Sequence, residues 1–157
     1  SYGYLTGSYV RDKDGVDGAY MICEMFSYYA TQGISLLDRL DELYKTYGYC
    51  LNTLHSYEFD GSAGFARMQS IMQAFRGGIK EFGGKKVVRL LDYVQGLDGL
   101  PKSDVLKFLL ENNCSIVVRP SGTEPKLKTY ISVSAENKEI AEKIEVEIVE
   151  AAETWIS

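Results

Sequence analysis

Apolar side chains recur at three- and four-residue intervals in four stretches of the chain, alternate with polar ones in another, and gather in short strand-like runs in four more. Val16, Ala19, Cys23, Phe26 and Ala30 form the first stripe and predict a helix over 16–30. Asp14 or Asp17 can cap its start, and Gly33 lies just past its end. Ser35 opens a second helix, with Asp38 three residues on as a weak capping box. Leu36, Leu37, Leu40, Leu43 and Tyr47 supply its buried face, and Gly48 ends it. Residues 49–59 then alternate, which puts Tyr49, Leu51, His55, Tyr57 and Phe59 on one side of a strand. A helix over 61–75 turns Phe65, Met68, Ile71, Met72 and Phe75 inward and stops at Gly77-Gly78. Methionines and aromatics at that spacing read as core.

Gly83-Gly84 turns the chain into a Val- and Leu-rich strand over 85–94. A loop with Gly96, Gly99 and Pro101 leads to a short strand over 104–110. Glu111-Asn112-Asn113 makes a tight hairpin turn into a strand over 114–118, and a further strand covers 127–133. The final helix, 136–155, carries Ile140, Ile144, Ile148 and Trp155 on one stripe, with Trp155 as an anchor. Its charges, including Glu139, Glu142, Lys143, Glu145 and Glu147, read as a mostly solvated face. From residue 49 the order is β-α-β-β-β-β-α. Hairpin-linked strands with two helices imply an α+β fold, an antiparallel sheet covered by helices on one face. The chain divides into a loop with two helices over 1–48 and a compact domain over 49–157.

Composition narrows the function classes. A formal net charge of −5 leaves no overall basic footprint for nucleic acid. Cys23, Cys50 and Cys114 are widely spaced and odd in number, which argues against a zinc site or a disulfide framework and favours a reducing compartment. His55 is the one histidine and reads as an ordinary strand residue. No stretch is long and apolar enough to span a membrane, and no signal peptide opens the chain.

The stretch that breaks the pattern is Arg119-Pro120-Ser121-Gly122-Thr123-Glu124-Pro125-Lys126-Leu127-Lys128. Two prolines, a glycine and two hydroxyl residues cannot continue a strand, so the chain turns there. Successive N–H groups in such a turn can point into one concavity and hold an anion. Ser121 and Thr123 add hydroxyl donors, and Arg119 and Lys128 add positive charge from the strand ends. The ligand this chemistry suits is a phosphate group; the alternative is a plain turn with a solvated basic rim.

That ten-residue stretch closely resembles the phosphate-binding loop in the C-terminal domain of the α-D-phosphohexomutases, which include phosphoglucomutases, phosphomannomutases and phosphoglucosamine mutases. A second match lies at the other end. Ser1-Tyr2-Gly3 matches the close of that family's sugar-recognition loop, Gly-Glu-Glu-Ser-Tyr-Gly, and Gly3-Tyr4-Leu5-Thr6-Gly7 the segment after it. Arg11-Asp12-Lys13-Asp14-Gly15 matches a later segment whose Lys lies in the active cleft. Read without the family, Arg11 and Lys13 are a solvated helix-entry turn; the resemblance makes Lys13 a site candidate, with Arg11 and Ser1 beside it.

The resemblance implies a fourth mutase domain over 49–157, similar to the TATA-box-binding-protein fold, preceded by the end of the third domain over 1–48. It implies a phosphotransferase that interconverts hexose 1-phosphate and hexose 6-phosphate through a bound hexose 1,6-bisphosphate, with Mg²⁺ held by a different domain. Arg119, Ser121, Gly122, Thr123 and Lys128 would hold the phosphate that is not reacting. The implied partners are a phosphorylated hexose and domains 1–3 of the same polypeptide, in the cytoplasm, with no nucleic acid and no membrane. The phosphoserine loop, the paired-aspartate metal loop and the two sugar-binding glutamates of the family have no counterpart here, so no catalytic or metal residue is assigned. The expectation is a fragment that binds phosphosugars weakly and has no mutase activity alone, leaning to the phosphoglucomutase/phosphomannomutase branch. A stand-alone phosphosugar-binding module and a non-catalytic protein-interaction domain stay open as alternatives.

Overall fold

The structure is a computed structural model and describes residues 4–9, 11–61 and 63–157. It separates into two compact units, Ser1–Tyr47 and Gly48–Ser157. In the first, α1 (Gly15–Ala30) and α2 (Leu36–Tyr47) are each fixed by a cap. Asp14 accepts the Val16 N–H at 2.9 Å and the Asp17 N–H at 3.4 Å. Ser35 and Asp38 close a full reciprocal box. The Ser35 hydroxyl accepts the Asp38 N–H at 3.0 Å, and the Asp38 carboxylate accepts the Ser35 N–H at 3.2 Å and its hydroxyl at 2.7 Å. The Ser35 hydroxyl, then its N–H, hold the Asp38 carboxyl below the usual carboxylate range. The apolar stripes expected to be buried are open instead. Val16, Phe26, Leu37, Leu40, Leu43 and Tyr47 are exposed, and only Gly18 of α1 is buried.

The second unit is an α+β fold. Its strands are β1 (Tyr49–Glu58), β2 (Glu81–Phe82), β3 (Lys85–Asp92), β4 (Leu106–Leu110), β5 (Cys114–Pro120) and β6 (Lys126–Ala135). They form one antiparallel sheet in the order β1-β6-β5-β4-β3-β2. Strict alternation sets its two faces. Leu127, Thr129, Ile131 and Val133 of β6 are buried, while Lys128, Tyr130 and Ser132 between them are half-buried on the opposite face. Helices α3 (Gly64–Arg76) and α4 (Lys138–Ile156) supply the buried residues that meet the first face. Phe75, Phe82 and Phe108 form its aromatic centre, with ring centroids 5.1–6.3 Å apart. The β4–β5 connection is a tight 3₁₀ turn, with Asn112 and Asn113 both left-handed as a short hairpin requires.

Three expectations shift. β2 is a two-residue strand that alternation could not reveal, although Phe82 within it is fully buried. Phe65 is not inward; it is 44% exposed in the first turn of α3. The buried face of α4 is Ala141, Glu145, Ile148, Ala152 and Ile156, while Ile140 and Trp155 are exposed, so Trp155 is no anchor. Ile148 of the expected stripe is buried and Ile144 packs against the core, so the face keeps its middle and extends to Ala141, Glu145, Ala152 and Ile156. Glu145, 9% exposed, accepts hydrogen bonds from Thr53 Oγ1 and His55 Nε2, each at 2.7 Å. A buried carboxylate is tolerated when such donors face it.

Candidate phosphate-binding site

Residues 121–125 join the adjacent inner strands β5 and β6. Register places Arg119 directly opposite Lys128, and Lys128 opposite Ser56 on its other side. All three point away from the helices, since their neighbours Val118 and Thr129 are buried. The result is a row of Ser56, Lys128 and Arg119 across β1, β6 and β5. Side chains so paired have Cβ atoms about 5 Å apart, and like charges placed opposite each other destabilise a sheet. Among the described residues no carboxylate lies within ion-pair distance of Arg119 or Lys128. The pair is therefore two cations facing one another without a protein counter-charge.

The loop itself is tightly hydrogen-bonded. Ser121 N–H donates to the Lys126 carbonyl at 2.7 Å, and Lys126 N–H to the Glu124 carbonyl at 2.7 Å. The Pro125 carbonyl accepts the Phe59 N–H at 2.9 Å, which ties the loop to the end of β1. Thr123 and Glu124 N–H groups converge on the Ser121 hydroxyl oxygen at 3.4 and 3.3 Å. The expected concavity of N–H groups thus takes another form. Two of them are gathered by a serine oxygen, whose own proton is left to donate outward, while Gly122 N–H has no partner among the described residues. Gly122 is not in the left-handed region, and a Cβ there would meet no atom within 4 Å. Neither conformation nor packing within the chain explains the glycine. Its backbone, the Ser121 and Thr123 hydroxyls and the cross-strand Arg119–Lys128 pair all belong to this one β5–β6 connection and its flanking strand ends.

Lys126 is the exception among the local cations. Its ammonium lies 3.1 Å from Glu58 and 3.4 Å from Glu124. Hydrogen bonds to Glu58 and then Glu124 raise its pKa above the ordinary lysine value. A concavity of about 290 Å³ beside it is lined by Glu58, Asp60 and Glu124 and suits no anion. A second, of about 470 Å³, includes Ser56, Arg67 and Glu153. There Arg67 is engaged, donating to the Ser157 carbonyl at 2.8 Å and lying 5.4 Å from the Phe59 ring centroid.

In the first unit, Arg11 and Lys13 are exposed in the turn before α1. Lys13 lies 3.7 Å from the carboxylate of Asp12. That turn is held by Asp14 N–H donating to the Tyr4 carbonyl at 3.1 Å. Ser1 lies outside the described residues. Among the described residues no group of three or more His, Cys, Asp or Glu side chains is placed to hold a metal ion, so the Mg²⁺ implied by the resemblance finds no fitting donor set in them. Among the described residues no helix is long and apolar enough to cross a membrane. Ser56 is the member of the row that the sequence did not reveal; a polar residue in an alternating strand carries no signal until its register is known.

Comparison with known proteins places the chain in a family. The family profile described as "Phosphoglucomutase/phosphomannomutase, C-terminal domain" matches residues 59–151. That match covers more than half of the chain, and the chain belongs to the phosphoglucomutase/phosphomannomutase family, whose C-terminal domain it carries. Phosphoglucomutases of Staphylococcus aureus strains MSSA476 and USA300 are 38% and 37% identical over 92% of this chain and 28% of theirs. That of Staphylococcus epidermidis is 34% identical over 92% of this chain and 29% of its own. The chain thus spans somewhat over a quarter of the length of these relatives. A solved structure, the open form of pp63/parafusin, a Paramecium phosphoglucomutase, shares the fold with a TM-score of 0.56 at 16% identity, over 94% of this chain and 27% of that one.

Proposed function

We propose that this chain is the phosphate-gripping part of a phosphohexomutase, an intramolecular phosphotransferase that interconverts hexose 1-phosphate and hexose 6-phosphate. Residues 1–48 are the end of its third domain and 49–157 its fourth. The observation that carries the reading is the cross-strand pair Arg119 and Lys128, which face each other without a carboxylate at the mouth of a loop whose glycine leaves open space. A phosphate dianion turns that repulsion into attraction. Arg119 can bond two of its oxygens at once, and Lys128 supplies a second charge without the fork. Gly122 N–H and the Ser121 and Thr123 hydroxyls reach the remaining oxygens, and the open face beside Ser56 leaves the sugar room to approach.

The site holds the phosphate that is not reacting. Binding energy at that remote group is used to orient the end that reacts. Backbone and hydroxyl donors impose little steric demand, so one grip serves both orientations of the sugar. Nothing here supplies a nucleophile or a base. Lys13, with Arg11 and Ser1, is assigned to sugar recognition in this reading, as the family resemblance implies. Mg²⁺ would supply charge stabilisation at the transferring phosphoryl group, from ligands outside these residues, and the 1,6-bisphosphate is the intermediate. The proposed partners are a phosphorylated hexose and domains 1–3 of the same polypeptide, in the cytoplasm, with neither nucleic acid nor membrane. Arg119→Gln tests the reading. It should weaken binding of glucose 6-phosphate about tenfold or more while leaving the fold intact; unchanged binding would refute it.

A further inference from the structure

Lys126 makes no part of the cationic row, yet it touches the loop three times. Its carbonyl accepts the Ser121 N–H, its own N–H donates to the Glu124 carbonyl, and its ammonium contacts the Glu124 carboxylate. Glu124 is the one acidic side chain of residues 121–125. Its N–H is also one of the two that converge on the Ser121 hydroxyl. A carboxylate in a loop that takes a dianion works against the ligand unless it is neutralised or turned aside. Register places Glu58, on edge strand β1, directly opposite Lys126, whereas Arg119 lies on β5, the other neighbour of β6. The lysine is the more covered partner, its side chain 29% exposed against 58% for Glu124.

We infer that Lys126 is a positioning residue for the phosphate loop: it holds the Glu124 carboxylate on the Glu58 side and cancels its charge, leaving Arg119 and Lys128 to meet the ligand. The lysine itself contributes no charge to the phosphate, because two carboxylates already share its ammonium. Asp60, which lines the same concavity as Glu58 and Glu124, adds to the acidic side that Lys126 divides from the cationic row. The inference rests on the phosphate reading of the loop and names the residue that makes a loop containing glutamate fit for an anion.

The test is a double-mutant cycle on the full chain, with inorganic phosphate and glucose 6-phosphate as probes. Affinity is read by NMR titration, and loop order by amide exchange without ligand. Lys126→Met should weaken phosphate binding roughly threefold to tenfold, through an uncompensated surface charge. The double variant E124Q/K126M should return affinity to within about twofold of the parent, and Lys126→Arg should retain it. An unchanged K126M overturns the inference. So does a double variant as weak as K126M, since Lys126 would then be touching the phosphate itself. Arg119→Gln separates the two readings: if it binds as the parent does, the phosphate site is refuted irrespective of Lys126. If the parent binds no phosphate at millimolar concentration, the phosphate reading falls. The exchange of the Thr123 and Glu124 amides then decides whether Lys126 orders the loop; it must quicken in K126M and return in K126R.

Discussion

Replacing Gly122 by alanine separates the needs of the fold from those of the ligand. A Cβ on Gly122 would meet nothing within 4 Å, and the residue is not left-handed, so the folded chain accepts the methyl without strain. The unfolded chain loses conformational freedom, which stabilises the fold by about 0.4–1 kcal/mol where the backbone is compatible. The binding balance runs the other way. Gly122 N–H is the loop donor without a partner among the described residues, and a methyl beside it crowds an approaching phosphate oxygen. A hydrogen bond to a charged acceptor contributes about 1.5–3 kcal/mol, so its loss corresponds to roughly tenfold or more in affinity. Thermal unfolding and a glucose 6-phosphate titration of the same variant read both quantities. Stability equal to or above the parent's, with weakened binding, is the expected result. A variant destabilised by more than about 1 kcal/mol, or one that binds as tightly as the parent, would refute the claim that this glycine serves the ligand.

Other predictions concern the scaffold. His55→Ala leaves the carboxylate of Glu145 buried with Thr53 as its remaining side-chain donor and should cost about 1–3 kcal/mol in chemical denaturation. His55→Ala combined with Glu145→Leu should recover part of that loss, and a single variant within about 0.5 kcal/mol of the parent would show the bond to be idle. Arg76 ties α3 to Asp92 at 2.8 Å and to Asp104 at 2.6 Å. Burial pushes the Asp92 carboxyl up, but the Arg76 hydrogen bond and the Val94 N–H outweigh it and hold the group below its usual range. A depressed carboxylate stabilises the fold above its unfolded pKa, near 4, and that contribution disappears as pH falls through the lower folded value. Stability should therefore decline below about pH 4, and Arg76→Met should be less stable at pH 7 with a shallower acid decline. Among the described residues the buried Thr129 Oγ1 makes no hydrogen bond of good geometry and has the Tyr57 hydroxyl as a polar neighbour, so Thr129→Val should change stability by no more than about 1 kcal/mol in a thermal melt.

Much of the second unit was legible in the sequence because β1, β4, β5 and β6 alternate in burial, β3 is rich in Val and Leu, and each turn is punctuated. Leu127 to Val133 gives its buried face directly, and Pro120, Gly122 and Pro125 mark the loop. What stayed hidden depends on pairing between distant segments. Ser56 joins Lys128 and Arg119 only through the β1–β6 register. Glu145 looks like one more charge on an acidic helix until Thr53 and His55 of β1 are seen to face it, so the ends of the α4 face, at Ile140 and Trp155, are misjudged while Ile148 is not. A two-residue strand such as Glu81–Phe82 has no period to detect. In the first unit the apolar stripes predicted both helices correctly, but periodicity specifies a face and not what covers it, and those faces are exposed. Within the loop, composition indicated donors without showing that Ser121 Oγ gathers two of the N–H groups.

The central claim is tested most directly by recording amide and arginine side-chain NMR signals of the chain during titration with glucose 6-phosphate, with glucose as the control. The account predicts shifts at Ser121, Gly122 and Thr123 and around Arg119, Lys128 and Ser56 with the phosphosugar alone, lost in Arg119→Gln. Equal shifts with free glucose, or shifts centred on the Arg67 concavity with residues 119–128 unmoved, would contradict it.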